Sequence, residues 1–222
     1  TRMSKPEPRR VLGWDVGGAH LKACLLENGQ VVDVAQWACP LWQGLQHLED
    51  AMANARGRWA QALTAPHAVT MTGEMTDLFS SRADGVQRIT DALQCALPGP
   101  VRVYAGPAPD SALALWAEPH EAGARWAQIA SANWMATAQH AAAVLGDGVL
   151  IDIGSTTIAG HLCDLLTGEI LSSAGRMNPQ IRFGEDLMSR VSYSMMNPGG
   201  AAQMTAAVRE ALSALAKEVA ES

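Results

Sequence analysis

Two stretches of this chain carry one pattern. "VLGWDVGGAHLKACLLENGQVVDVAQW" (residues 11–37) and "VLIDIGSTTIAGHLCDLLTGEILSSAG" (149–175) each read as an apolar strand, an aspartate, a glycine turn and two further strands. In the first stretch Asn28-Gly29 lies between two apolar runs, a strong hairpin signal because both residues tolerate positive φ. The strands of the first meander are expected at 11–16, 21–27 and 31–37. Those of the second are expected at 148–153, 157–164 and 169–175, with "LTGE" as a turn. A three-stranded meander cannot bury its apolar face alone, so each must be completed by helices.

The chain supplies them. Leu41, Leu45, Leu48 and Met52 recur at three-to-four spacing in "LWQGLQHLEDAMANARGRWAQAL", which predicts a helix. A strand ("HAVTMTG"), a helix ("DGVQRITDALQCAL"), a strand ("VRVYAG") and an alanine-rich helix over about 122–145 follow. Residues 11–147 thus read βββαβαβα, an α/β unit with a mixed sheet and helices packed on it. Residues 148–222 begin the same way, with helices expected near 184–195 and 200–220. They form a partial second copy, lacking the last two strands. The expectation is a fragment or trimmed chain, inactive alone and prone to self-association through uncovered apolar surface.

Composition narrows the functional classes. The chain has 222 residues, 48% hydrophobic and 17% charged, enough to build a core. A net charge of −6 argues against a nucleic-acid-binding face. No apolar run reaches the roughly 18–20 residues of a membrane span, and the basic "TRMSKPEPRR" reads as a solvated tail rather than a signal peptide. Cys24, Cys39, Cys95 and Cys163 lie far apart, with neither zinc nor iron–sulfur spacing. They are expected to be reduced, core-packed thiols of a cytoplasmic protein.

The candidate site is the pair of glycine turns. Gly17 and Gly18 after Asp15, and Gly154 after Asp152, let backbone amides approach a phosphate with no Cβ in the way. Ser155, Thr156 and Thr157 add hydroxyl donors, and Lys22 on the returning strand adds a point charge for a phosphate oxygen. Asp15 and Asp152 are suited to hold Mg²⁺ through oxygen or water, or to orient an attacking group. One Asp-x-Gly-Gly turn is ordinary turn chemistry. Two at the same place in two meanders are harder to assign to turns alone. "NPGGAA" (197–202) reads as a structural loop, and Glu74 and Asp77 in "TGEMTDL" have an alternative reading as acids at a helix N-terminus.

The βββαβαβα order resembles the ribonuclease H-like half-domain from which actin-like ATPases and sugar kinases are built. That resemblance implies two glycine turns facing each other across a cleft and gripping a nucleotide's phosphates. "GWDVGGAHLKA", "CPLWQGL", "TMTGEMTDLF", "VRVYAG", "SANWMATA" and "DIGSTT", over residues 11 to about 157, resemble the hydantoinase/oxoprolinase-related group linked to tetrahydromethanopterin and methanofuran one-carbon metabolism. The group includes a methanofuran-synthesis enzyme acting on aminomethylfuran diphosphate. The resemblance implies ATP or a diphosphate as ligand, with Mg²⁺. It makes Asp15, Gly17, Gly18 and Lys22 the first phosphate loop, and Asp152 to Thr157 the second. Asp15, Asp152 and Glu74 are then catalytic candidates, with Asn133 in "SANW" as another cleft residue. From about residue 149, "IDIGSTTIAGHLCDLLTGEILSSAGRMNPQIRFGEDLMSRVSY" is similar to ATP-dependent reductive activators of corrinoid proteins. That resemblance implies a corrinoid protein as partner and makes "DIGSTT" a first phosphate loop instead. A hybrid or non-catalytic chain is the third reading.

Overall fold

A computed structural model describes residues 9–106, 115–145, 148–154, 156–164 and 170–221. Ser155, the turn at 166–169 and most of the N-terminal tail lie outside the described residues. The chain divides into two compact units, with the boundary between Ala136 and Thr137.

The first unit holds one sheet in the order β3-β2-β1-β4-β5-β6. Strands β1 (Arg10–Val16), β2 (His20–Glu27) and β3 (Gln30–Ala38) form the antiparallel meander. Asn28 (φ 53°) and Gly29 (φ 81°) make the tight turn that this sequence calls for. Strands β4 (His67–Met71) and β5 (Val101–Tyr104) then add parallel to β1, and β6 (Trp116–Ala117) closes the edge antiparallel to β5. The first five strands thus keep the antiparallel meander and the alternating helices and strands expected from the sequence.

Helices α1 (Gln46–Arg58) and α2 (Arg82–Ala96) are the crossovers from β3 to β4 and from β4 to β5. Both crossovers advance across the sheet in one direction, and right-handed connection places both helices on one face. That face is the core. Leu12, Trp14 and Val16 of β1, Leu21 and Leu25 of β2, and Val69 and Met71 of β4 alternate inward. They meet Leu48, Met52 and Ala55 of α1, and Val86, Ile89 and Leu93 of α2.

Three sequence expectations need correction. The helix expected over 41–63 is a short 3₁₀ turn (Leu41–Gln43) followed by α1, because Gly44 sits at φ 143°, outside helical backbone. The alanine-rich helix over 122–145 is broken into α3 (Trp126–Ile129) and α4 (Asn133–Leu145), with Ser131 at φ 56° between them. Cys95 is exposed rather than core-packed, since two residues of helix carry it to the face opposite Leu93. The two-residue β6 was not anticipated; it is too short to carry any periodic signal.

The second unit contains a three-stranded antiparallel sheet, β7 (Gly148–Ile153), β8 (Thr157–Cys163) and β9 (Ile170–Met177). A 3₁₀ turn (Pro179–Phe183) leads to α5 (Leu187–Met196) and α6 (Gly200–Glu221). Helix α6 lies across β8, where Ile158 meets Leu215 and Val219. Gly160 permits that approach: a Cβ there would stand 3.1 Å from Leu215 Cγ. As the sequence suggested, "NPGGAA" is the connection between α5 and α6, turning at Gly199 (φ 79°).

Candidate functional site

In the first unit β1 and β4 run parallel and their chains leave in opposite directions, β1 towards β2 and β4 towards α2 and β5. Such a switch point, at the carboxyl ends of the strands, is where open α/β sheets place ligands. Asp15 is the penultimate residue of β1 and stands there.

The register puts Asp15 in a polar row across four strands. Gln36 pairs with Lys22, Lys22 with Asp15, and Asp15 with Thr70. Lys22 Nζ lies 3.4 Å from Asp15 Oδ2, and Thr70 Oγ1 donates to Asp15 Oδ1 at 3.4 Å. The adjacent row, Val34, Cys24, Gly13 and Ala68, is small and apolar. Both rows occupy the sheet face opposite α1 and α2, where they floor a hollow of about 720 Å³ that Trp116 also lines.

The glycine turn caps that row. Gly17 N donates to His20 O at 3.0 Å, so its amide closes the turn, whereas the Gly18 amide makes no backbone hydrogen bond among the described residues. The carbonyls around it are gripped from two sides. Leu41 N donates to Gly18 O, Cys39 N to Ala19 O, and Thr72 N to Val16 O. A Cβ on Gly17 would lie 3.0 Å from His20 O, and one on Gly73 would lie 3.3 Å from Gly17 O. Glycine is therefore needed in both strands of backbone where the β1–β2 turn meets the chain leaving β4.

That chain carries Glu74, whose side chain is fully buried. Its Oε1 accepts from Arg82 at 2.9 Å and from Ser131 Oγ at 2.8 Å, while Oε2 has no partner among the described residues. The "TGE" and "SANW" motifs are thus brought together, through Ser131 rather than Asn133. Asn133 starts α4 and accepts from the neighbouring Trp134 amide at 2.8 Å. Glu74 does not cap α2; Ser81 does, accepting from Asp84 N. Asp77 is exposed.

The second unit rebuilds the turn. Asp152 is again penultimate in its strand, and Gly154 N donates to Thr157 O at 2.8 Å, as Gly17 N does to His20 O. A Cβ on Gly154 would also lie 3.0 Å from that oxygen. Asp152, Gly154, Thr156 and Thr157 are exposed. The row beside the aspartate differs. Asp152 pairs with Ala159 and Ala159 with Gly175, so small residues stand where Lys22 and Gln36 stand in the first unit. His161 replaces Cys24 in the next row, with its Nδ1 2.8 Å from Ser173 Oγ. Burial holds this imidazole below its ordinary value, and Asp152 opposes that shift.

No group of three or more His, Cys, Asp or Glu capable of holding a metal occurs among the described residues. A carboxylate with a neighbouring hydroxyl, as at Asp15 and Thr70, does fit Mg²⁺ held through water and a ligand's phosphate oxygens. No helix of the described residues is long and apolar enough to cross a membrane. Sequence reasoning missed Thr70, Arg82 and Ser131, since pairing of distant strands and loops leaves no local periodicity.

Comparison with known proteins supports both resemblances read from the motifs. The RACo middle region family matches residues 147–222. A (4-{4-[2-(gamma-L-glutamylamino)ethyl]phenoxymethyl}furan-2-yl)methanamine synthase of Methanocaldococcus jannaschii is 29% identical over 148 residues, 66% of this chain and 41% of the synthase. The corrinoid activation enzyme RamQ of Eubacterium limosum is 33% identical over 72 residues, 32% of this chain and 12% of that enzyme. A solved reductive activator for corrinoid, iron–sulfur protein shares 38% identity over 33% of this chain and 12% of its own, with a TM-score of 0.32. The chain therefore spans less than half the length of these relatives.

Proposed function

We propose that this chain binds the phosphates of ATP or of a diphosphate substrate, with Mg²⁺, and serves one-carbon cofactor metabolism by making a furan-2-yl methanamine of the kind its synthase relative's name describes. The observation that carries the proposal is the repeated turn. In each unit an aspartate stands next to last in the first strand, and a glycine amide closes the loop onto the third residue after that glycine. Lys22 and the Gly18 amide would meet phosphate oxygens, and Asp15 and Asp152 would hold Mg²⁺ through water. Mg²⁺ would neutralise phosphate charge; the chain's own residues position the phosphate and the carboxylates.

The test is calorimetric titration with ATP and with inorganic diphosphate, each with and without Mg²⁺, on the wild type, Asp15→Asn and Asp152→Asn. Binding that depends on Mg²⁺ and is weakened at least tenfold by either substitution is expected. No binding by either compound at millimolar concentration would overturn the proposal.

The match of residues 147–222 to the RACo middle region favours a second reading, an ATP-dependent activator that docks a corrinoid protein. Nucleotide-dependent association with a purified corrinoid protein, and indifference to diphosphate, would select it.

A further inference from the structure

We infer that Asn178 is a positioning residue that sets the shape of the second glycine turn. This rests on reading Asp152, Gly154, Thr156 and Thr157 as part of a phosphate loop. Asn178 is the first residue after β9, and it is 2% exposed. It makes three bonds at once. Its Nδ2 donates to Gly154 O at 2.8 Å, its backbone amide donates to Thr156 O at 2.8 Å, and its Oδ1 accepts from Gln180 N at 2.9 Å. The third bond caps the 3₁₀ turn that begins at Pro179, which fixes the side chain in the pose the first needs. In a trans peptide the carbonyl and the following amide point opposite ways. A group that grips the carbonyl of Thr156 therefore also aims the Thr157 amide away from itself.

The first unit shows what the side chain adds. There the equivalent place, first after β3 and followed by Pro40, belongs to Cys39. Its amide donates to Ala19 O, as Asn178 N does to Thr156 O. The buried thiol has no amide group with which to reach the glycine carbonyl. The amide of Leu41 does hold that loop, but at Gly18 O (2.9 Å), one position beyond Gly17, the residue that matches Gly154. The first loop is thus secured by backbone amides alone. In the second, the grip on the carbonyl of Gly154 comes from one side chain, so a single substitution can release it.

Asn178→Asp separates the two side-chain bonds. The isosteric carboxylate still accepts from Gln180 N but presents an oxygen, not a donor, to Gly154 O. Asn178→Ala removes both. Amide exchange, resolved by NMR without ligand, is expected to speed about tenfold at Gly154 in the Asp variant, the worth of one buried hydrogen bond. Exchange at Gln180, Leu215 and Val219 should stay within about twofold. Inorganic diphosphate with Mg²⁺ should bind several-fold more weakly to the variant at a temperature where both proteins are fully folded. An Asp variant whose Gly154 exchanges like the wild type, or one that loosens Leu215 and Val219 equally, overturns the inference. Failure of the wild type itself to bind diphosphate would instead sink the phosphate reading, and it is recognisable because exchange still separates the variants.

Discussion

Replacing Arg82 by Met tests whether the buried Glu74 carboxylate is held as an ion. The Glu74 side chain has no exposed surface, and the Arg82 side chain retains 45% of its own. Arg82 is one of two groups bonded to Oε1, the other being the Ser131 hydroxyl. A hydrogen bond to a charged group contributes about 1.5–3 kcal/mol, and the exposure of the arginine argues for the lower half of that range. We expect a loss of about 2 kcal/mol, which lowers the melting temperature of a unit this size by roughly 5–8 °C. The diagnostic is the double variant. With Glu74→Gln added, no uncompensated carboxylate remains under the surface, so about 1 kcal/mol should return relative to Arg82→Met alone. Urea unfolding followed by tryptophan fluorescence reads the relevant unit, because all seven tryptophans precede its boundary at Ala136. If the double variant is less stable than Arg82→Met, by the full cost of the second substitution, the ion-pair account of Glu74 is wrong.

Trp14 Nε1 donates to His67 Nδ1 at 3.1 Å, and His67 Nε2 lies 2.9 Å from Leu63 O, an arrangement that needs the neutral ring. Burial lowers the His67 pKa from its ordinary 6.5, so its contribution to stability is complete above about pH 6.5. It is lost as pH falls towards the folded-state value; a pH-titration of unfolding free energy should lose that slope in His67→Gln. Asp33 is held at about 2 by Arg58 and the Trp59 indole, so its contribution persists above pH 3.8 and is lost as pH falls through about 2. Asp33→Asn should remove that acid-sensitive component, monitored by tryptophan fluorescence; an unchanged acid limb would contradict it. Gly160→Val should destabilise the second unit by about 1–3 kcal/mol by crowding Leu215, seen as faster amide exchange in α6.

The sheet was legible where the code is local. Alternating apolar residues marked β1 and β2, Asn28-Gly29 fixed the hairpin, and the spacing of Leu48 and Met52 marked the buried stripe of α1. The two aspartates and glycines were legible for the same reason, since a turn is specified by its own few residues. What escaped was set by tertiary pairing. Thr70 joins Asp15 only because β4 docks parallel to β1 in one register. Ser131 adopts a left-handed backbone inside an alanine-rich run, and it is placed there by its bond to Glu74, 57 positions away. Helix propensity argues for continuity at that point, and a buried carboxylate overrides it.

The two turns diverge in an informative way. Both keep the aspartate, the glycine, and the amide-to-carbonyl closure of the loop, and in both a Cβ would crowd the same oxygen. The side chains around them are not kept: Lys22 and Gln36 against Ala159 and Gly175, Cys39 against Asn178. Simple turn chemistry would tolerate many closures and need no carboxylate at a fixed place. The backbone cradle proposed above, with one acid beside it, would account for the recurrence of those features. On that view, the partners that differ mark separate duties. Beside Asp15, Lys22 would add a positive charge for a phosphate oxygen, whereas an aspartate flanked by Ala159 and Gly175 would rely on a hydrated cation alone. Exchanging the residues tests the division. Ala159→Lys should shift the second loop from Mg²⁺-dependent to Mg²⁺-independent diphosphate binding, measured by titration in chelator, and unchanged metal dependence would show that the row beside the aspartate does not set it.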